Sequence, residues 1–181
     1  KYLKMSSLIN LITISRIILA PIIFVLLIFD NYLICMALFF LAGLSDYFDG
    51  YLARKYHSES EIGEILDPIA DKIIVVFSLI GLTIILNSTL MAFLSSLIIS
   101  REIIVSAMRD FSSRNNISDR MKVTFLAKTK TSFQLLSIAL YLVALTLNLN
   151  LLIIISDVFL IIATLITIYT GYQYAIEVFR K

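Results

Sequence analysis

Charge is scarce in this chain. Only 15% of its 181 residues are Asp, Glu, Lys or Arg, where about a quarter is usual for a soluble domain. Tryptophan is absent, and there are two prolines, five glycines, one cysteine and one histidine. With so few Pro and Gly there is no linker composition, no low-complexity tract and no repeat. The chain therefore reads as a single domain over residues 1–181. The lone Cys35 excludes an internal disulfide. The lone His57 excludes the paired-histidine sites typical of zinc. Lys1 to Ser7 hold no apolar core before a small-residue cleavage site, so no removable signal peptide is expected.

What remains is hydrocarbon. Sixty per cent of the residues are hydrophobic and the mean hydropathy is +0.96. A soluble fold of this length would need far more polar surface, so the composition predicts a membrane protein. A bilayer admits only helices or closed barrels, and the apolar runs have helix length. Six are expected: Leu8 to Phe29, with a kink at Pro21; Tyr32 into the polar string Ser45 to Arg54; Asp67 to Leu86; Leu90 to about Met108; Thr129 to Leu147; and Leu151 to about Ala175. The fold class is all-α with six transmembrane helices.

The breaks between these runs alternate in length and charge. Asp30-Asn31, Asn87-Ser88-Thr89 and Asn148-Leu149-Asn150 are short and contain no Lys or Arg. The long breaks, Lys55 to Leu66 and Asp110 to Lys128, together with the chain ends, are basic. By the positive-inside rule both termini and both long loops face the cytoplasm. An even number of spans agrees.

Ionisable residues within apolar helices are costly and mark function by default. At about 1.5 Å per residue, Asp46 lies near the cytoplasmic end of the second helix, and Asp71 one turn into the third from the same side. Arg16, Arg101, Lys128 and Lys130 fall at similar depth on three further helices. A polar chamber open to the cytoplasm is the simplest expectation. Asp46 and Asp49 are spaced i, i+3, and Asp67 and Asp71 i, i+4, so each pair shares one helix face. Four carboxylates so placed would repel one another in a low dielectric. Divalent cations would relieve that repulsion, and oxygen donors favour magnesium, manganese or calcium. Gly50 and Ala53 would let a ligand approach the helix backbone, and Arg54 offers a phosphate-shaped fork. Asp67-Pro68 reads as a helix start with proline in the first turn.

Asp46-x-x-Asp49-Gly50-x-x-Ala53-Arg54, followed by Gly63-x-x-x-Asp67-x-x-x-Asp71, resembles the signature of the CDP-alcohol phosphatidyltransferases at every defining position. The opening Asn10-x-x-Thr13-x-x-Arg16 and the six-helix layout are similar to that family as well. Asp67-Pro-Ile-Ala-Asp-Lys72, Arg101-Glu-Ile-Ile104 and Ala127-Lys-Thr-Lys-Thr131 resemble the bacterial branch whose acceptor is glycerol 3-phosphate. The resemblance implies that Asp46, Asp49, Asp67 and Asp71 hold two divalent ions, Mg²⁺ or Mn²⁺, with Asp71 also the general base. It implies that Asp49, Gly50, Ala53, Arg54 and Asp67 line the nucleotide site of CDP-diacylglycerol. It also implies a homodimer in a bacterial inner membrane among lipids, with no nucleic-acid partner.

The acceptor phosphate is expected on Arg101, Arg109, Lys128 and Lys130. Glu102 follows Arg101 directly, but adjacent helical side chains diverge by about 100°, so it need not consume that charge; the alternative is that these cations are inside-facing anchors plus one internal ion pair. Some residues admit two readings. Arg16 is either a site residue or a snorkelling anchor at the interface. Lys55, Lys122, Arg114 and Arg120 read as interfacial anchors, His57 and Glu59, Glu61 and Glu64 as loop residues. Asp157 sits about two turns into the sixth helix from the outer side, either protonated or hydrogen-bonded to a neighbouring helix. Serine or inositol phosphate as acceptor, or a divalent-cation transporter, are the competing functions.

Overall fold

The structure is a computed structural model that describes residues 2–56, 61–115 and 125–179. Those residues form six helices: α1 (Tyr2–Ile28), α2 (Tyr32–Tyr56), α3 (Glu61–Leu86), α4 (Thr89–Arg114), α5 (Phe125–Leu147) and α6 (Asn150–Phe179). No strand occurs among them. Five helices are long and apolar enough to cross a membrane. The apolar part of α2, Tyr32–Asp46, is shorter than 18 residues because the charged string begins there. The chain is a multi-pass membrane protein.

Two helix ends differ from expectation. The third helix starts at Glu61, so Pro68 lies inside it and not in its first turn. The fourth helix continues past Met108 to Arg114, whose guanidinium pairs with Asp110 one turn back at 2.8 Å. Hydropathy reports where the bilayer ends, whereas an i, i+4 ion pair supports helix in water. The α1 helix runs unbroken through Pro21.

The three short breaks turn in one way. Asp30, Asn87 and Asn148 have φ of 57°, 45° and 54°, the left-handed region that Asn and Asp enter more readily than other non-glycine residues. At the end of α1 the Asp30 amide donates to the Leu27 carbonyl at 3.1 Å and the Asn31 amide to Leu26 at 2.9 Å. That pair of bonds satisfies carbonyls the helix end would leave open. On the far side of the second break, the Ser88 hydroxyl caps α4 by accepting from the Met91 amide.

Packing resolves into two units, Lys1–Asn87 with Leu142–Asn148, and Ser88–Tyr141 with Leu149–Lys181. In the first, α1 packs on α2 and α3. Its buried seam is Thr13, Arg16, Ala20, Ile23 and Leu27, spaced 3, 4, 3, 4 as one helix face requires. Leu11, Ile14, Ile18, Ile22 and Val25 form the exposed apolar stripe opposite. On α2 the buried Cys35, Phe39 and Ala42 lead by the same spacing to Asp46. On α3 the buried Ser78, Ile74 and Ala70 lead back to Asp71 and Asp67. Gly81 lets α1 close on α3, since a Cβ there would come within 2.8 Å of the Leu27 side chain.

In the second unit α4 packs on α6. The α6 seam is Ser156, Leu160, Ala163, Thr167, Thr170, Tyr174 and Val178, more polar than the lipid-facing surface around it. Asp157 accepts a hydrogen bond from the buried Tyr141 hydroxyl on α5, which resolves it as bonded to a neighbouring helix.

Candidate functional site

Three apolar seams of the first unit end in polar residues, and those residues meet. Arg16 is only 2% exposed. Its Nη1 donates to Asp46 on α2 and to Asp71 Oδ1 on α3 at 3.0 Å. Its Nη2 lies 3.5 Å from Asp67 Oδ1, which also accepts the Thr13 hydroxyl at 2.8 Å. One buried guanidinium thus gathers carboxylates from two helices. Arg16 is buried among the aspartates, the arrangement expected of a site residue.

The three carboxylates differ from Arg16 in exposure: their side chains are 52%, 47% and 49% accessible for Asp46, Asp67 and Asp71. Each therefore keeps surface for a further ligand beyond the guanidinium. The donors are carboxylate and hydroxyl oxygens, the set that suits a hard divalent cation. They are disposed around Arg16, and among the described residues no three acidic groups close on a common point as a finished cage. Asp49, Gly50, Ala53 and Arg54 lie on α2 beyond Asp46, one to two turns further along. Their side chains lie outside the described ones, as does that of Lys128 on α5.

The second unit holds its own polar cluster. Arg101 on α4 is buried, and each of its nitrogens has a partner. Nε donates to the Thr167 carbonyl at 2.9 Å, Nη2 to the Thr170 hydroxyl at 2.8 Å and Nη1 to Glu102 Oε1 at 3.1 Å. Lys130 on α5 donates to the same Glu102 oxygen. Gln134 Nε2 reaches the Thr167 hydroxyl at 3.0 Å. The guanidinium carbons of Arg101 and Arg109 stand 5.8 and 5.3 Å from the centre of the Tyr174 ring, within cation–π range. Arg109 also donates to the Tyr174 hydroxyl at 3.2 Å.

Of the two readings of Glu102, the structure shows the ion pair with Arg101. Its side chain leaves the helix about 100° from that of Arg101, yet both stems are long enough to close the gap. Arg101 lies over α6, which brings Nη1 beside the carboxylate. Arg101 and Lys130 share the Glu102 carboxylate and Arg109 stands against the Tyr174 ring, so among these described groups positive charge is in excess. The sequence reading missed Thr167, Thr170, Tyr174 and Gln134. For the α6 residues the signal was Thr164, Thr167 and Thr170 at every third position of an otherwise apolar stretch, the inverse of a soluble amphipathic pattern.

A buried arginine gathering helix-borne aspartates in one unit, and a basic cluster in the other, suit an enzyme that handles phosphate esters at a membrane. The chain belongs to the CDP-alcohol phosphatidyltransferase family, whose profile it matches over residues 7–169. It is a membrane transferase of phospholipid biosynthesis, from a family that uses divalent cations. Among curated proteins it is similar to the CDP-diacylglycerol–glycerol-3-phosphate 3-phosphatidyltransferase of Rickettsia bellii, 38% identical over 172 residues that cover 91% of each chain. The enzyme of the same name from Haemophilus influenzae is 35% identical over 166 residues, 90% of this chain and 88% of that one. That from Wigglesworthia glossinidia brevipalpis is 40% identical over 130 residues, 70% and 71% of the two chains.

Proposed function

We propose that this enzyme transfers a phosphatidyl group from CDP-diacylglycerol to glycerol 3-phosphate, releasing CMP and forming phosphatidylglycerophosphate. The observation that carries the reading is the convergence of Asp46, Asp67 and Asp71 on Arg16, at the spacing of the family signature. The names of the relatives support the acceptor. The chain acts as one catalytic domain over residues 1–181, as a homodimer.

Asp71 is the general base in this mechanism. It takes the proton of the acceptor hydroxyl, whose oxygen attacks the phosphorus bonded to diacylglycerol. The new O–P bond forms as the bond to the CMP oxygen breaks, and CMP leaves with that electron pair. Asp46, Asp49, Asp67 and Asp71 are the residues that would hold divalent cations, Mg²⁺ or Mn²⁺, two per site. Such ions supply charge neutralisation for the pyrophosphate and the leaving group. Thr13 and Arg16 hold Asp46, Asp67 and Asp71 in place. Gly50 and Ala53 line the nucleotide site with Asp49 and Asp67, and Arg54 binds the diphosphate. Arg101, Arg109, Lys128 and Lys130 bind the phosphate of the acceptor, for which the excess positive charge of the α4–α6 cluster is the support.

Purified enzyme given labelled CDP-diacylglycerol is expected to release CMP when glycerol 3-phosphate and Mg²⁺ or Mn²⁺ are present, and to stop in excess EDTA. Release with serine or inositol phosphate and none with glycerol 3-phosphate would overturn the acceptor. Full turnover in EDTA would overturn the metal assignment.

The active site faces the cytoplasm of a bacterial cell, by the distribution of Lys and Arg. Cysteines placed by Ser58→Cys and Ser118→Cys, in the Cys35→Ala background, should escape an impermeant thiol reagent in intact cells, whereas Ser88→Cys should react. Labelling of Ser118→Cys from outside contradicts this orientation.

A further inference from the structure

Arg101 reaches its partners by lying directly against the backbone of α6, and one residue makes room for it. Gly171 sits between Thr170 and Tyr174 in the seam of that helix. A Cβ at Gly171 would stand 3.0 Å from Arg101 Cγ, 3.1 Å from Nε and 3.6 Å from Cδ. In open surroundings a flexible arginine would swing aside. Here its Nε, Nη1 and Nη2 are tied to Thr167, Glu102 and Thr170, and its guanidinium faces the Tyr174 ring. Any retreat lengthens several charge-assisted bonds at once.

Helix energetics give no other reason for glycine at this position. Gly171 has no positive φ, so alanine would suit the helix better. The position sacrifices helix propensity and gains a slot the width of an arginine stem. The Thr167 carbonyl gains from the same slot. It is the carbonyl that the amide of residue 171 reaches in a regular helix, and its second lone pair stays open to Nε because no Cβ shields it.

We propose that Gly171 is a positioning residue that seats Arg101 on α6. Through Arg101 it fixes Glu102 and so the place of the Lys130 ammonium, which shares that carboxylate. The consequence for catalysis rests on the reading that these cations bind the acceptor phosphate. Gly171 touches no substrate in this account; it sets the geometry of the groups that do.

The test is a cycle of four proteins: wild type, Gly171→Ala, Arg101→Ala and the double variant. The Michaelis constants for both substrates and the Tm in detergent are measured for each. Loss of one charge-assisted bond predicts a rise of about tenfold in the glycerol 3-phosphate KM for Gly171→Ala, with the CDP-diacylglycerol KM moving far less. In the Arg101→Ala background, adding Gly171→Ala should leave both KM values where they are and leave Tm equal or higher. An equal effect of Gly171→Ala in both backgrounds overturns the proposal, as does no effect on KM or Tm with Arg101 in place. Should Arg101→Ala leave the glycerol 3-phosphate KM unchanged, the acceptor reading fails. The seat is then judged on Tm, which must fall on Gly171→Ala only when Arg101 is present. If Gly171→Ala does not fold, recovery of folding in the double variant supports the seat, and failure of both overturns it.

Discussion

Asp71→Asn should lower kcat by about 10²–10⁴-fold while changing the KM for CDP-diacylglycerol little. Asparagine keeps the shape of the side chain, and its carbonyl oxygen can still accept from Arg16 Nη1, which lies 3.0 Å from Asp71 Oδ1. The amide cannot take a proton from the acceptor hydroxyl. The loss should thus appear in turnover and not in assembly of the site, the signature of an interaction made only in the transition state. Steady-state kinetics with labelled CDP-diacylglycerol read this directly. Near wild-type kcat would remove Asp71 from the role of base.

Arg16→Gln should be nearly as damaging, for a different reason. Glutamine retains a polar, hydrogen-bonding end but no charge, and three carboxylates lose their common cation. Breaking a fully buried ion pair costs about 3–5 kcal/mol. Half-exposed aspartates regain some hydration, so about 1–3 kcal/mol is the expected loss here. The remaining carboxylates should then lean on divalent cations. The Tm of Arg16→Gln in detergent should fall, and Mg²⁺ should raise it more than it raises that of the wild type. Turnover should drop by about 100-fold or more, the scale seen when one preorganised electrostatic contact is removed. Wild-type Tm and activity in Arg16→Gln would return Arg16 to the role of a simple membrane anchor.

Much of this protein was legible in its sequence because a bilayer simplifies the reading. The chain must satisfy its own backbone within hydrocarbon, so apolar runs translate into helices. The three short turns fell at Asp30, Asn87 and Asn148, where a left-handed residue was needed. The aspartates stood out because carboxylates are costly in such runs, and the structure gathers Asp46, Asp67 and Asp71 around Arg16. The helix ends in water were not legible. The α4 helix runs on to Arg114 with a local ion pair, to which a hydropathy window is blind, and α3 already includes the turn before Asp67. Nor were the aspartates that pair with Arg16, or the α6 groups that Arg101 reaches, readable, since they lie at least 30 positions away. Whether Arg101 and Glu102 pair was open in the sequence because a Cβ direction says little about two long side chains.

The buried seam of α1 also sets a phase. Ala20, Ile23 and Leu27 fix the rotation of the helix against its neighbours, and Thr13 and Arg16 inherit that rotation seven and four residues before Ala20. The apolar half of the helix is in that sense an indexing gear for the chemical half. One residue inserted between Arg16 and Ala20 would leave the packing of the gear intact and turn Arg16 by about 100°, away from all three aspartates. The length of that short stretch is therefore as strict a requirement on the enzyme as the identity of the arginine itself.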